Sequence, residues 1–253
     1  MILGVDVNDV TMDEAIGSLA AMLGDHGGCS HAIYYVNAHT LNLACDDDGY
    51  RRVLNRANYV FGDGTGVRWA TRILRSASPK DNVNGTDLTP KLFTATAGRG
   101  YRYYLLGTTP ERIERAARYA RRTFTGWIQA GFHHGYVTPQ DDTTLAARIN
   151  ASRPHLLLVG MGNPLQERWI DRNLGRLNVP VCMAIGGLFD YWSGELERAP
   201  LWVRRLGQEW LYLLLCQPHK FRRYIVGNPK FLARVLSERV RAGRRRQLGQ
   251  GAS

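Results

Sequence analysis

The sequence predicts an α/β fold of the Rossmann-like kind, a parallel sheet with helices on both faces. Two observations predict it. Short, nearly continuous apolar runs recur from the N-terminus to about Ala199, and most are followed by a segment whose apolar residues have helical spacing. Parallel strands are buried on both faces, so they consist of unbroken apolar runs rather than of alternating polar and apolar residues.

The elements follow one another in a regular order. The first helix opens with the capping box Thr11 and Glu14, and a later one has Thr109 as N-cap and Pro110 at its first position. The expected strands are AIYYVN (32–37), YVFG (59–62), YRYYLLG (101–107), WIQAGFHHGYV (127–137), HLLLVGMG (155–162) and VPVCMAIGG (179–187). The expected helical segments are 11–23, 40–58, 66–74, 109–124, 139–152 and 164–177.

Charge divides the chain into two parts. Residues 199–253 contain 12 Lys or Arg and two acidic residues, whereas residues 1–198 contain 21 and 20. A basic segment of this kind is typical of proteins that bind nucleic acid, anionic lipid or phosphate-rich substrates. We expect a Rossmann-like domain over 1–198, a basic amphipathic helical appendage over 199–242 and a disordered tail over 243–253.

The lack of a signal-peptide pattern and the scattered cysteines predict a cytoplasmic protein. The N-terminus MILGVDVNDV lacks a basic region, and no apolar run approaches the roughly 20 residues that cross a bilayer. The cysteines Cys29, Cys45, Cys182 and Cys216 are scattered and form no CxxC pair. We therefore expect buried free thiols in a reducing cytosol.

The loops after the strands are the candidate ligand site, because ligands of open parallel sheets bind beyond the strands' carboxyl ends. These loops are NAHT, GDGTG, GTTP, GMGNPLQE and GGLFD. Gly64, Gly160 and Gly162 would let the backbone approach a nucleotide diphosphate, although such turns need glycine in any case. Leu165 stands where a dinucleotide fingerprint would have its third glycine, and no P-loop occurs.

Asp63, between two glycines after the second strand, has two interpretations. It is a turn residue or helix N-cap, or it is a general base at the mouth of a pocket. From the residues alone the first is favoured. CDDDGY (45–50) is interpreted as a solvated helix end. The adjacent histidines of FHHGY (132–136) would point to opposite faces of a strand, so we expect no metal site.

The appendage also leaves two interpretations open. In LWVRRLGQEWLYLLLC (201–216), Leu206, Trp210, Leu213 and Leu214 share one helical face. Such a helix either docks on the body or lies in a membrane interface, with its arginines on anionic lipid.

Several motifs together resemble one family, the WecG/TagA/CpsF glycosyltransferases (glycosyltransferase family 26). They are VNAHTLNLA, ANYVFGDGTGV, NGTDL, YYLLG, LLVGMGNPLQERWI, AIGGLFDYWSGELERAP and GQEWLYLLLCQPHKFRRY, and the match extends from about residue 3 to 235. The resemblance implies an inverting enzyme at the inner face of the plasma membrane. Its donor would be a UDP-sugar and its acceptor an undecaprenyl-diphosphate-linked saccharide. No cofactor is implied, and a homo-oligomer is left open.

The resemblance also implies roles for individual residues. The catalytic base falls on Asp63, and donor-binding residues fall on Asn37, Gln166 and the adjacent Glu167, together with the loop glycines. Cations of the appendage that would reach the acceptor or the leaving diphosphate fall on Lys220, Arg222 and Arg223.

The chain departs from the family pattern at Tyr35, Asn82 and Leu213, where Thr, Arg and Arg are usual. The departures leave the sugar open between N-acetylmannosamine and glucose. Two other classes of protein remain as alternatives, a nucleic-acid-binding Rossmann-like protein with an Arg-rich tail and an NAD-type oxidoreductase.

Overall fold

The structure is a computed structural model that describes residues 1–25, 29–200 and 225–250, with side chains described as far as 243. The strands are β1 (His31–Val36), β2 (Tyr59–Gly62), β3 (Arg102–Gly107), β4 (Ile128–His133), β5 (Leu156–Gly160) and β6 (Val181–Ala184). The helices are α1 (Met12–Leu23), α2 (Ala38–Asp46), α3 (Asp48–Asn55), α4 (Gly64–Arg75), α5 (Gly85–Ala95), α6 (Pro110–Thr123), α7 (Asp142–Ala151), α8 (Leu165–Asn173), α9 (Leu188–Trp192) and α10 (Gly227–Gln250). All the expected strands are confirmed, with bounds that differ by a few residues.

The described strands form one sheet in the order β2-β1-β6-β5-β3-β4, and every neighbouring pair is parallel. The predicted Rossmann-like α/β fold is therefore confirmed. Because the strands all run the same way, their carboxyl ends lie along one edge of the sheet. Residues far apart in sequence meet there.

Two apolar layers cover the sheet, one on each face. Tyr34 and Val36 of β1 belong to one layer, while Ile33 and Tyr35 belong to the other. This division follows from the alternation of side chains along a strand. Both layers contain fully buried residues, as expected for strands covered by helices on both sides.

Local sequence signals place the helix starts. Glu14 N donates to Thr11 Oγ1 at 3.2 Å and Thr11 N donates to Glu14 Oε2 at 2.8 Å, so the predicted capping box is confirmed. Arg112 N donates to Thr109 Oγ1 at 3.3 Å, which confirms the predicted start of α6. Each cap satisfies an N–H group that a helix would otherwise leave without a partner.

Three helical features differ from the sequence prediction. The segment 40–58 is two helices, α2 and α3, because Asp47 lies in an extended conformation between them and caps the second. Helix α5 was not predicted, since Pro90 lies inside it and its polar start, Asn84 to Asp87, is typical of a loop. Helix α9 was not predicted either, because its five residues are too few to show helical periodicity.

The C-terminal helix α10 packs against α2 and α4. Asn42 Nδ2 donates to Gly227 O at 2.8 Å, and Lys230 Nζ lies 2.9 Å from Asp46 Oδ2. Arg234 binds both Asp46 and Asn42. Phe231 and Val235 of α10 belong to the core. The predicted limits 199–242 and 243–253 are not tested and stay predictions, and residues 201–224 and 251–253 lie outside the described part of the chain.

Three cysteines of the described residues, Cys29, Cys45 and Cys182, are free thiols. Cys182 is buried as expected and Cys45 is half-buried, whereas Cys29 is exposed, so the expectation of burial is wrong for Cys29. In the described ranges no helix has the length and apolar composition that crossing a bilayer requires.

Candidate active site

A cleft of about 1230 Å³ opens at the carboxyl edge of the sheet. This is the place where open parallel sheets bind ligands, and the cleft is large enough for a nucleotide-sized molecule. Helix α10 supplies part of one wall through Asn228 and Leu232. The residues at or just after each strand end that line the cleft are Asn37, Asp63, Thr108, Gly135, Gly160 and Gly186.

Asn37 and Asp63 lie side by side in the cleft wall. Val36 of β1 pairs with Gly62 of β2, and Asp63 N donates to Val36 O at 2.8 Å. Asn37 Oδ1 caps α2 by accepting from His39 N and Thr40 N, each at 3.1 Å. The side-chain NH2 of Asn37 is therefore the group suited to contact a ligand.

Asp63 occupies the N-cap position of α4, but its carboxylate makes no capping hydrogen bond there. The N–H of Gly64 instead donates to Asn82 Oδ1 at 2.8 Å. Gly64 has φ +87°, a conformation that residues with a Cβ rarely adopt. Asp63 thus lies at the N-cap position that the sequence suggested. Its side chain lines the cleft and does not cap the helix.

Tyr35 forms part of the cleft next to Asp63. Its side chain is buried, and a Cβ on Gly85 would come within 3.2 Å of its ring, so α5 packs closely on it. Among described residues its hydroxyl has no hydrogen-bond partner. Burial first, and then the negative charge of Asp63, raises the pKa of Tyr35 well above its ordinary value, so the phenol stays neutral.

Gly107 and Gly160, the last residues of β3 and β5, allow the two strand ends to pack closely against each other. A Cβ on Gly107 would lie 2.2 Å from Gly160 O, and Thr108 N donates to that same oxygen at 3.0 Å. A Cβ on Gly160 would lie 2.7 Å from the ring of Phe189. Gly160 lines the cleft, but close packing alone already requires glycine at this position.

Gln166 was predicted as a donor-binding residue, and it lines the cleft although it is only 1% exposed. Its Oε1 accepts from Gly162 N and Gly186 N, both at 3.2 Å. Its Nε2 donates to Glu167 Oε1 at 2.7 Å. The polar atoms of Gln166 therefore join the loops after β5 and β6, and the Gly162 amide is already hydrogen-bonded.

Glu167 lies behind the cleft wall rather than in it. It is 0% exposed and is missing from the described residues that line the cleft. Tyr50 OH donates to its Oε2 at 3.1 Å and Asn163 Nδ2 to its Oε1 at 2.6 Å. Burial raises its pKa to about 7, while the hydrogen bonds it accepts act in the opposite direction. In this position the side chain contacts Gln166 and Asn163, which line the cleft, and does not itself line it.

The acidic run 46–48 is used for structure. Asp46 pairs with Lys230 and Arg234, Asp47 N-caps α3, and Asp48 lies 2.9 Å from Arg51. In the described part of the chain, no three His, Cys, Asp or Glu side chains come together in a group that could hold a metal ion.

The two histidines of FHHGY contradict the expectation of opposite faces. The rings of His133 and His134 lie 4.3 Å apart, because β4 ends at His133 and the strand alternation ends with it.

Two arginines, Arg68 and Arg112, bring positive charge to the cleft. Lys220, Arg222 and Arg223 lie outside the described residues. Sequence reasoning missed Arg68 and Arg112, which line the cleft from α4 and α6. Arg112 also lies 3.6 Å from Asp190 and 3.7 Å from Glu195. Their signal was their place in the first two turns of helices that follow glycine-containing loops, where anions are favoured.

The fold and the cleft are those of an α/β protein with a nucleotide-sized cleft at the strand ends, lined by the acids Asp63 and Asp190. Residues 1–245 match the model of the Glycosyl transferase WecG/TagA/CpsF family, and the chain belongs to this family.

The chain is also similar to N-acetylglucosaminyldiphosphoundecaprenol N-acetyl-beta-D-mannosaminyltransferases of Staphylococcus aureus, among them those of strains NCTC 8325 / PS 47, COL and MRSA252. Each is 31% identical over 214 residues, which cover 85% of this chain and 83% of the relative. The family resemblance found in the sequence is confirmed.

Proposed function

We propose that the protein is an inverting glycosyltransferase that moves a sugar from a UDP-sugar to an undecaprenyl-diphosphate-linked saccharide. The observation that carries the proposal is the position of Asp63, a carboxylate at a strand end in the wall of a large cleft. Asp63 occupies the N-cap position of α4 without capping the helix, and its carboxylate lines the cleft. Membership of a glycosyltransferase family supports the reaction type.

The reaction is a single displacement at the anomeric carbon of the donor. Asp63 accepts the proton of the acceptor hydroxyl while that oxygen bonds to the anomeric carbon. The bond from the anomeric carbon to the phosphate oxygen breaks, and UDP leaves with the electron pair. One base suffices for such an inversion, and no covalent glycosyl-enzyme forms. The beta product in the relatives' names is what inversion of an α-linked donor gives.

The departing diphosphate needs positive partners. Arg68 and Arg112 line the cleft, and the N-terminus of α4 opens next to Asp63. Fixed cations and helix N-termini stabilise charge that develops on a leaving group. Lys220, Arg222 and Arg223 of the appendage are proposed to complete this cluster over the diphosphate.

The relatives favour a particular sugar and acceptor. Their names specify transfer of N-acetylmannosamine to an N-acetylglucosaminyl-diphosphate lipid. We propose the same substrates here, with glucose as the alternative donor sugar. Since the acceptor lipid lies in the membrane, the basic appendage would hold the protein peripherally at the inner face of the plasma membrane.

A donor screen followed by a transfer assay tests the proposal. UDP and its matching UDP-sugar should raise the melting temperature, whereas NAD and duplex DNA should not, since only a ligand of the native state stabilises it. The protein should then transfer N-acetylmannosamine to a synthetic N-acetylglucosaminyl-diphosphate lipid, with a beta linkage by NMR. Stabilisation by NAD alone would favour an oxidoreductase, and an alpha-linked product would rule out inversion.

A further inference from the structure

One side chain joins two loops of the cleft that are distant in sequence. The N–H groups of Gly162, after β5, and Gly186, after β6, both donate to Oε1 of Gln166. A side-chain amide has an oxygen that accepts and a nitrogen that donates. Only one of its two flipped orientations can therefore hold both loops, because the other would place NH2 against two N–H donors.

Glu167 selects that orientation. Its Oε1 accepts from Gln166 Nε2 at 2.7 Å and from Asn163 Nδ2 at 2.6 Å. Since Oε1 also accepts from Asn163, it is an acceptor even when Oε2 carries a proton, so the nitrogen of Gln166 must face Glu167 and its oxygen must face the two glycines. The hydroxyl of Tyr50 holds the second carboxylate oxygen at 3.1 Å.

We propose that Glu167 is a positioning residue that sets the shape of the donor-facing wall. Through Gln166 it fixes the loops after β5 and β6 against each other, and through Asn163 it fixes the turn into α8. Gly162, Asn163 and Gly186 all line the cleft. The identity of the ligand bound by this wall rests on the proposed function, whereas the positioning itself does not.

The requirement is for an acceptor at Oε1, not for a charge. A glutamine at this position can present its oxygen to Gln166 and Asn163 and its NH2 to the oxygen of Tyr50. Methionine has a similar volume but offers no comparable acceptor, so the NH2 groups of the buried Gln166 and the half-buried Asn163 would lose their partner. The pair Glu167→Gln and Glu167→Met thus separates positioning from simple filling of the space.

The experiment measures hydrogen–deuterium exchange of peptides that contain Gly162 and Gly186, together with the dissociation constant of UDP. In Glu167→Met both peptides should exchange about tenfold faster, the effect of losing one buried acceptor, and UDP should bind about tenfold more weakly. Glu167→Gln should stay within a few-fold of wild type in both measurements. The matched control is Asp142→Asn, a buried carboxylate whose partner Arg172 lies at the far end of α8.

The inference is overturned if both peptides of Glu167→Met exchange as in wild type. It is also overturned if Glu167→Gln is as disturbed as Glu167→Met, or if Asp142→Asn accelerates the same peptides equally. Should wild type bind no UDP while the peptides respond as expected, the proposed donor fails and the positioning role stands. Should UDP bind normally while the peptides do not respond, the positioning role fails and the proposed function stands.

Discussion

Asp47 and Asp63 both occupy N-cap positions of helices, and they are used in opposite ways. Asp47, between α2 and α3, accepts from Tyr50 N at 2.9 Å and pairs with Arg168. Asp63, between β2 and α4, makes no capping hydrogen bond and faces the cleft. The backbone hydrogen bond from Tyr50, and then Arg168, lowers the pKa of Asp47.

The two helix starts differ in the side chains that serve their first N–H groups. At α4 the N–H of Gly64 donates to Asn82, and Asp63 makes no capping hydrogen bond. At α3 the N–H of Tyr50 donates to Asp47 itself. Substitutions of Asp63, Asn82 and Asp47 test what each contact contributes.

The largest effect is expected from Asp63→Asn. If Asp63 is the general base, kcat should fall by about 10²- to 10⁴-fold, because the amide cannot accept the proton. The melting temperature and the affinity for UDP should stay close to wild type, since the side chain does not cap α4. Steady-state kinetics and calorimetry check this. A variant with near-normal kcat would remove Asp63 from the mechanism.

The carboxylate of Glu167 differs from those of Asp47 and Asp63 because it is fully buried. Burial raises its pKa from an ordinary 4.5 to about 7. Between these values the folded protein holds a proton that the unfolded chain has released, so stability falls as the pH rises through this interval.

The Glu167→Gln variant has no group to titrate at this position. We compare the free energies of unfolding of the variant and of wild type at each pH. The variant's value minus the wild-type value should increase by about 3 kcal/mol from pH 4.5 to above pH 7, because only wild type loses stability in this interval. Urea unfolding at several pH values measures this difference. A difference that is independent of pH would show that Glu167 has an ordinary pKa.

Asn82→Ala tests whether the contact at the start of α4 positions Asp63. The N–H of Gly64 would lose its acceptor, so the backbone next to Asp63 would be held less firmly. Since a base must lie within hydrogen-bond reach of the proton it accepts, kcat should fall by about tenfold, the equivalent of one lost hydrogen bond. Asn82→Asp keeps an acceptor and is the control. Unchanged kcat in Asn82→Ala would mean that this contact does not position Asp63.

The smallest effect is expected from Asp47→Ala. It removes the cap of α3 and the pair with Arg168, so the midpoint of urea unfolding should fall slightly, while kcat and the KM for the donor stay unchanged. Asp47→Ser retains a capping oxygen and should recover most of the midpoint. A loss of activity at unchanged stability would contradict the purely structural role assigned to Asp47.

The fold could be predicted because its signals are local. Apolar runs, caps at Thr11 and Thr109, and spacing of apolar residues act within a few positions of one another. Helix α5 was missed because its polar start and Pro90 resemble a loop, and its packing against Tyr35 is a long-range contact.

The family resemblance named Asn37, Asp63 and Gln166, and the structure brings all three to the wall of one cleft. Their roles in binding and catalysis stay predictions. Which atoms of these residues are already hydrogen-bonded could not be deduced, because the partners Asn82 and Gly186 are distant in sequence. The burial of Glu167 likewise depends on Tyr50, which belongs to another helix.

The packing of α10 has a consequence for how the chain can be divided. Phe231 is 3% exposed and Val235 is 0% exposed. Both belong to the apolar layer that contains Tyr34 and Val36 of β1. Asn228 and Leu232, on the same helix, border the cleft. A protein shortened at Ala199 would therefore lack part of its core and one side of its cleft. The proposed membrane attachment and this wall of the cleft share the helix, so cutting the chain does not separate them, and single substitutions on the helix surface are required.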